Sequence, residues 1–169
     1  RDTGALAHAL PGGRSVAKPE HRAEMERLWG VPEGTIDAKP GLDAVELFRA
    51  MGDGRVKCAL IMATNPMQTL PALEKFRKNC FVALAEPFED TSTSAIADVL
   101  LPTALWIEKE GVFGQTERRY QLIEKQIDPP GEARSDLAIL VDLADRAGCG
   151  ALIRSRTPEA VWKEWSAIS

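Results

Sequence analysis

Val56-Lys57-Cys58-Ala59-Leu60-Ile61-Met62-Ala63-Thr64-Asn65-Pro66, followed by Phe81-Val82-Ala83-Leu84-Ala85-Glu86-Pro87, is the stretch on which the fold turns. Each segment opens as an apolar run, interrupted in the first only by Lys57. Half-exposed strands alternate apolar with polar residues, whereas strands covered on both faces read as continuous runs. Thr64-Asn65-Pro66 and Glu86-Pro87 stop the two runs, because proline cannot continue a central ladder. Between them, Thr69 and Pro71 open an expected helix through Lys78 that carries Leu70, Leu73 and Phe76. Strand, helix and strand in that order form a βαβ unit, so the strands are expected to be parallel and the crossover right-handed.

The pattern extends in both directions. Upstream, Asp43 and Glu46 stand at capping-box spacing before a helical stripe of Val45, Phe48 and Met51, which Gly52-Asp53-Gly54 ends. Downstream, Asp90-Thr91-Ser92-Thr93-Ser94 offers several N-cap candidates for a short helix to Asp98. Val99-Leu100-Leu101 is a third short strand, closed by Pro102. Trp106 to Tyr120 reads as a charged, glycine-punctuated loop, and Gln121–Ile127 as extended chain. After the turn Asp128-Pro129-Pro130-Gly131, Ser135 caps an amphipathic helix with Leu137, Leu140, Val141 and Ala144 on one face, ended by Gly148 and Gly150. Thr157-Pro158 opens a last helix with Val161, Trp162 and Trp165. The expected organisation is therefore an irregular segment over residues 1–42, with one helix from Pro19 to Trp29, then an α/β domain over 43–150 and a terminal helix or linker over 151–169.

Composition narrows the function class. A chain of 169 residues with 44% hydrophobic and 27% charged residues has ordinary globular make-up, enough for one core. The net charge of −4, without a Lys/Arg cluster, argues against a nucleic-acid partner. No apolar run approaches the roughly 20 residues of a membrane span. The chain opens at Arg1 and reads as cut from a longer protein, so the lack of a secretory stretch says nothing of the parent's compartment. Cys58, Cys80 and Cys149 are widely spaced, with no CxxC and with His8 and His21 far from any pair. Buried free thiols are expected there, not a zinc or iron–sulfur site.

Four places carry polar residues where chemistry can occur. Ligands of open parallel sheets bind beyond the carboxyl ends of the strands. The Asn65 amide, after the first strand, both donates and accepts, which suits ribose or phosphate oxygens. Its plain alternative is a turn in which Asn65 satisfies its own backbone. Glu86, after the second strand, can accept two ribose hydroxyls, or else be a solvated loop acid. Lys109, in Glu108-Lys109-Glu110-Gly111, can neutralise a phosphate, although such a charge run is more often a solvated face. Asp136, in the first turn of a helix, is either a favourable dipole partner or a carboxylate able to take the two N–H donors of a guanine edge. No Ser-His-Asp arrangement, P-loop or GxGxxG occurs, so the residues describe a nucleotide cradle without reaction chemistry.

The runs CALIMATNPMQTLP from Cys58, FVALAEPFEDTSTSAIADVLLPTALWIEKEGVFGQTERRYQ from Phe81 and DPPGEARSDLAILVDLADRAG from Asp128 resemble the molybdopterin oxidoreductase family that carries bis(molybdopterin guanine dinucleotide). TNP, ADVLLP, EKEG, ERR and GEARSD recur in that order in the family; five such peptides together are specific where one alone is weak. The N-terminal stretch, with PEHRAEMERLWGVPEGTI from Pro19, looks most like the nitrate reductase branch, especially its periplasmic type.

The resemblance implies an α/β, Rossmann-like three-layer segment with a short parallel sheet, part of a larger multidomain molybdoenzyme, holding one guanine dinucleotide arm. It implies that Asn65 contacts the cofactor, that Lys109 lies near phosphate or pterin oxygens, and that Asp136 lies near the guanine. The family's polar-plus-Asp pair falls on Glu86 and Pro87; Pro87 supplies no carboxylate, so Glu86 is left to take over the contact. Arg118 and Arg119 read as structural or interdomain residues. Neither the family's four-cysteine [4Fe-4S] motif nor its molybdenum-ligating cysteine occurs in the 169 residues, so no catalytic or metal ligand is expected in the chain and no activity from it alone. The implied parent reduces nitrate to nitrite in the periplasm, or in the cytoplasm if assimilatory, with a formate dehydrogenase as a further alternative. Its implied partners are the remaining domains of the polypeptide, with a small cytochrome electron donor as a candidate. A stand-alone, non-catalytic α/β binding module is the competing class.

Overall fold

A computed structural model of the chain describes residues 9–70, 80–115, 117 and 119–168. Two compact units interleave along the sequence: Leu42–Lys109 with Gln126–Asp136, and Arg1–Gly41 with Glu110–Lys125 and Leu137–Ser169.

The first of these units holds a three-stranded sheet. β1 (Cys58–Met62), β2 (Phe81–Glu86) and β3 (Val99–Pro102) lie in the order β1-β2-β3. Both pairings are parallel, with Ile61 opposite Leu84, Ala85 opposite Leu101, and Glu86 opposite Pro102. The central strand is where burial is deepest: Val82, Leu84 and Ala85 have no exposed surface. Each buried Val or Leu contributes roughly 1.5–3 kcal/mol relative to exposure. Met51, Ile61, Cys80, Val82 and Leu84 form the core, with Phe48, Val56, Ala59, Ala97 and Leu100 packed against it. The strand ends stay more open than continuous apolar runs suggest, with Phe81 and Val99 exposed.

Local chemistry fixes the surrounding elements. Asp43 caps α2 (Ala44–Gly52) by accepting the Glu46 amide at 2.9 Å, which brings Ala50 and Met51 to the core. Asp98 ties β3 to β2 twice: its amide donates to the Val82 carbonyl, and its carboxylate accepts the Val82 amide, each at 2.8 Å. Pro102 is tolerated as the last residue of an edge strand, where its missing N–H costs no ladder bond. Beyond it, Thr103 bridges Arg134 in parallel, and the Ala104 amide donates to the Arg134 carbonyl at 2.8 Å. That bridge delivers the chain to Asp136, the first residue of α4 (Asp136–Arg146). Of the helix expected from Thr69 to Lys78, residues 71–78 lie outside the described residues; the described part holds one turn, α3 (Pro66–Thr69).

In the other unit, α1 (Pro19–Trp29) starts on its proline and ends at Gly30, whose φ of 62° supplies the left-handed cap. Thr157 caps α5 (Pro158–Ser166) by accepting the Ala160 amide. The Trp165 indole donates to the Tyr120 hydroxyl at 3.3 Å, and the Tyr120 and Trp162 rings lie 5.0 Å apart. The stretch read as a loop up to Tyr120 is partly regular: β4 (Gly111–Gly114) and β5 (Tyr120–Ile123) form an antiparallel pair, with Val112 opposite Leu122. Val112 and Phe113 on one strand and Tyr120 and Ile123 on the other have the extended-chain preference that favours a strand pair over a loop.

Of the three free thiols only Cys80 is buried; Cys58, which opens an edge strand, and Cys149, just past α4, are exposed. Burial, with Cys58 and Asp98 nearby, pushes the Cys80 thiol up, so it stays protonated and inert. Among the described residues no helix is long and apolar enough to cross a membrane.

Candidate functional site

The carboxyl ends of the three parallel strands gather the polar residues. At the end of β1, Ala63 is left-handed, with φ of 51°, and its amide still donates to the Ala85 carbonyl at 3.2 Å. A non-glycine residue there stores strain of about 1–2 kcal/mol. The bend sends Thr64 and Asn65 off the line of the strand.

Asn65 does not cap its own turn. Its Oδ1 accepts the Thr93 hydroxyl at 2.6 Å and the Ser92 hydroxyl at 3.0 Å, and its Nδ2 donates to Gln68 Oε1 at 3.2 Å. Thr93 Oγ1 in turn accepts the Met67 amide at 3.2 Å. Thus the loop after β1 is fastened to the loop after β2 through side chains. Thr93 is fully buried. It precedes the 3-10 turn Ser94–Ile96 without capping it, because its hydroxyl is engaged by Asn65. The run Asp90–Ser94 signals caps by composition, but not which hydroxyl reaches across to another loop.

Glu86 closes β2 and is 9% exposed, so it is no solvated loop acid. Its carbonyl accepts the Thr103 amide at 3.3 Å, which continues the ladder into the segment after β3. Thr103 and Glu108 are also buried. The Glu108 carboxylate accepts the Leu105 amide at 2.8 Å and so shapes the turn that presents Lys109. The sequence reading gave neither residue a role. The Thr103 bridge to Arg134 joins segments some thirty residues apart and leaves no local sequence signal.

Lys109 and Asp136 meet directly: the ammonium donates to Asp136 Oδ2, with side chains 28% and 33% exposed. Lys109 and Asp136, 27 positions apart in the sequence, are therefore neighbours. Among the hydrogen bonds of the described residues, none links Asn65 or Glu86 to that pair. Among the same residues no three His, Cys, Asp or Glu side chains converge as metal ligands. Arg118 lies outside the described residues; Arg119 contributes its carbonyl to the Gln115 amide at 2.8 Å.

Residues 2–146 match the family model described as Molybdopterin oxidoreductase. The chain belongs to the molybdopterin oxidoreductase family. It is 49% identical, over its whole length, to the periplasmic nitrate reductase of Desulfovibrio desulfuricans. It is 43% identical, over 98% of its length, to the nitrate reductase of Symbiobacterium thermophilum. The chain spans only 23% and 22% of those two proteins. Acetylene hydratase from Pelobacter acetylenicus superimposes with a TM-score of 0.61 over 83% of the chain and 20% of its own, at 23% identity; it shares the fold. Membership in the family implies a molybdenum–pterin cofactor.

Proposed function

We propose that this chain is the segment of a molybdenum-dependent nitrate reductase that holds one guanine dinucleotide arm of the cofactor. The reading rests on the Lys109–Asp136 pair at the far end of β3. It brings together a cation and a carboxylate, as a ligand with phosphates and a guanine edge requires.

The donor set fits such a ligand. Lys109 has three N–H donors, of which the pair uses one, and the Asp136 carboxylate keeps a whole oxygen in reserve. An ion pair this exposed contributes only about 0–1 kcal/mol, whereas a hydrogen bond to a charged group contributes about 1.5–3 kcal/mol. Ligand contacts therefore outcompete the pair. Asp136 would take the two N–H donors of the guanine, Lys109 would neutralise phosphate, and Asn65 and the buried Glu86 would face ribose or phosphate oxygens. When bound, the molybdenum–pterin group supplies two-electron oxygen-atom chemistry, while the protein supplies position and electrostatics. The overall change in the parent is nitrate plus two electrons and two protons to nitrite and water. A [4Fe-4S] cluster held by other parts of the polypeptide would supply the electrons. The periplasm is the proposed compartment and a small cytochrome the proposed donor; the relatives' names support the compartment.

The test uses the full-length parent. Asp136→Ala is expected to lower bound guanylate and molybdenum by at least about 10- to 100-fold, the cost of losing even one of its two hydrogen bonds to the guanine. Lys109→Ala should weaken retention of the cofactor in the same direction. Wild-type molybdenum and guanylate content in both variants would refute the assignment. Nitrite production from nitrate with a reduced dye tests the substrate, and a loaded enzyme that forms none would refute nitrate.

A further inference from the structure

The hydroxyl of Thr93 has its proton direction settled by its surroundings. Thr93 is fully buried, and its Oγ1 accepts the Met67 amide at 3.2 Å. A buried hydroxyl proton without an acceptor is costly, so the proton must be donated. Asn65 lies 2.6 Å away and receives it. Only the amide oxygen of an asparagine can accept, so this contact fixes the oxygen, and not the nitrogen, toward Thr93. Ser92 adds a second donor to the same oxygen at 3.0 Å. The amide oxygen is thereby saturated. The nitrogen points the other way, with one hydrogen on Gln68 Oε1 at 3.2 Å and a second to give.

From this we infer that Thr93 is a positioning residue that makes Asn65 a dedicated hydrogen-bond donor at the carboxyl edge of the sheet. The group Asn65 recognises is therefore an acceptor oxygen, of a phosphate or a ribose, and not a donor such as a base N–H. The inference rests on the cofactor reading of this edge, and it divides the labour. Asn65 takes an acceptor on the β1 side, and Asp136 takes the N–H donors on the β3 side.

The experiment measures molybdenum and acid-released guanylate in purified full-length holoenzyme. Thr93→Val keeps the side-chain shape and removes the hydroxyl, and occupancy should fall roughly ten-fold. Thr93→Ser keeps the hydroxyl and should restore occupancy to within about two-fold of wild type, a rescue that loss of a packed methyl would not produce. Asn65→Asp offers only acceptors and should hold less cofactor than Asn65→Ala. Full occupancy in Thr93→Val, failure of Thr93→Ser to rescue, or Asn65→Asp at or above Asn65→Ala would each overturn the inference. If Thr93→Val yields no folded protein, the order of the two Asn65 variants decides alone. Asp136→Ala and Lys109→Ala, measured alongside, separate the two levels. If they lose cofactor while the Thr93 and Asn65 variants do not, only the positioning role falls. If the variants at all four positions keep it, the cofactor reading falls as well.

Discussion

The two flanks of the sheet's carboxyl edge are built differently. On the β1 side, Asn65 is held by a fully buried threonine and by a backbone bend with a left-handed alanine. On the β3 side, Lys109 and Asp136 hold each other, about a third exposed, where water screens the pair. The first flank is integral to the fold, so its polar geometry and its stability cannot be altered separately. The second is a closed pair that a ligand can open at little cost. On the proposed reading, the site would combine one fixed donor with two groups that rearrange when the ligand arrives.

The largest effect is expected from removing what both flanks share. Leu84 is fully buried in the central strand. Leu84→Ala should cost about 2–5 kcal/mol. Native-state hydrogen exchange of the β2 amides in the full polypeptide should show that loss, and unchanged protection would place the core elsewhere. Next comes the rigid flank. Thr93→Val leaves the Met67 amide without its acceptor, for about 1–3 kcal/mol of lost local stability. Exchange at Met67 is the readout, and an effect no larger than that of Lys109→Ala would erase the contrast between the flanks. On the soft flank, Lys109→Ala and Asp136→Ala should each change apoprotein stability by only about 0–1 kcal/mol. A loss of several kcal/mol in the ligand-free protein would mark the pair as structural.

Two smaller effects sharpen the picture. Ala63→Gly relieves about 1–2 kcal/mol of left-handed strain but adds about 0.4–1 kcal/mol of unfolded-chain entropy, so it should be neutral to mildly stabilising. Clear destabilisation would mean the Ala63 methyl matters more than the bend. In the other unit, the Arg14 guanidinium bonds Glu24 at 2.7 and 2.8 Å and holds its carboxyl below the ordinary range. A depressed folded-state value means that this stabilisation is present above pH about 4.3 and fades as pH falls through the lower value. Glu24→Gln should therefore flatten the acid limb of that unit's unfolding curve, and an identical limb would show the pair to be inert.

Much of this was legible in the sequence because its causes are local. The apolar runs around Leu60 and Leu84 announced parallel strands, and Asp43 and Thr157 announced helix starts that both proved to be side-chain caps. Lys109 and Asp136 were legible as chemistry, each beside its own motif, but their contact was not, because 27 residues separate them. Thr93 was one hydroxyl among several in Asp90–Ser94; its burial and its reach to Asn65 depend on β1 and β2 being adjacent. The β4–β5 pair was obscured by its charges and glycines, since pairing depends on Val112 and Phe113 meeting residues beyond the turn. Ala63 carries no signal, because nothing in an alanine proclaims a positive φ.

The most direct measurement is a density map of the full-length holoenzyme around this edge of the sheet. The predicted result is a guanine within hydrogen-bonding distance of Asp136, phosphate or ribose oxygens facing Lys109 and the Asn65 amide nitrogen, and the Lys109–Asp136 contact opened or shared. Nucleotide density on another face, with Lys109 and Asp136 still closed on each other under solvent, would contradict the account.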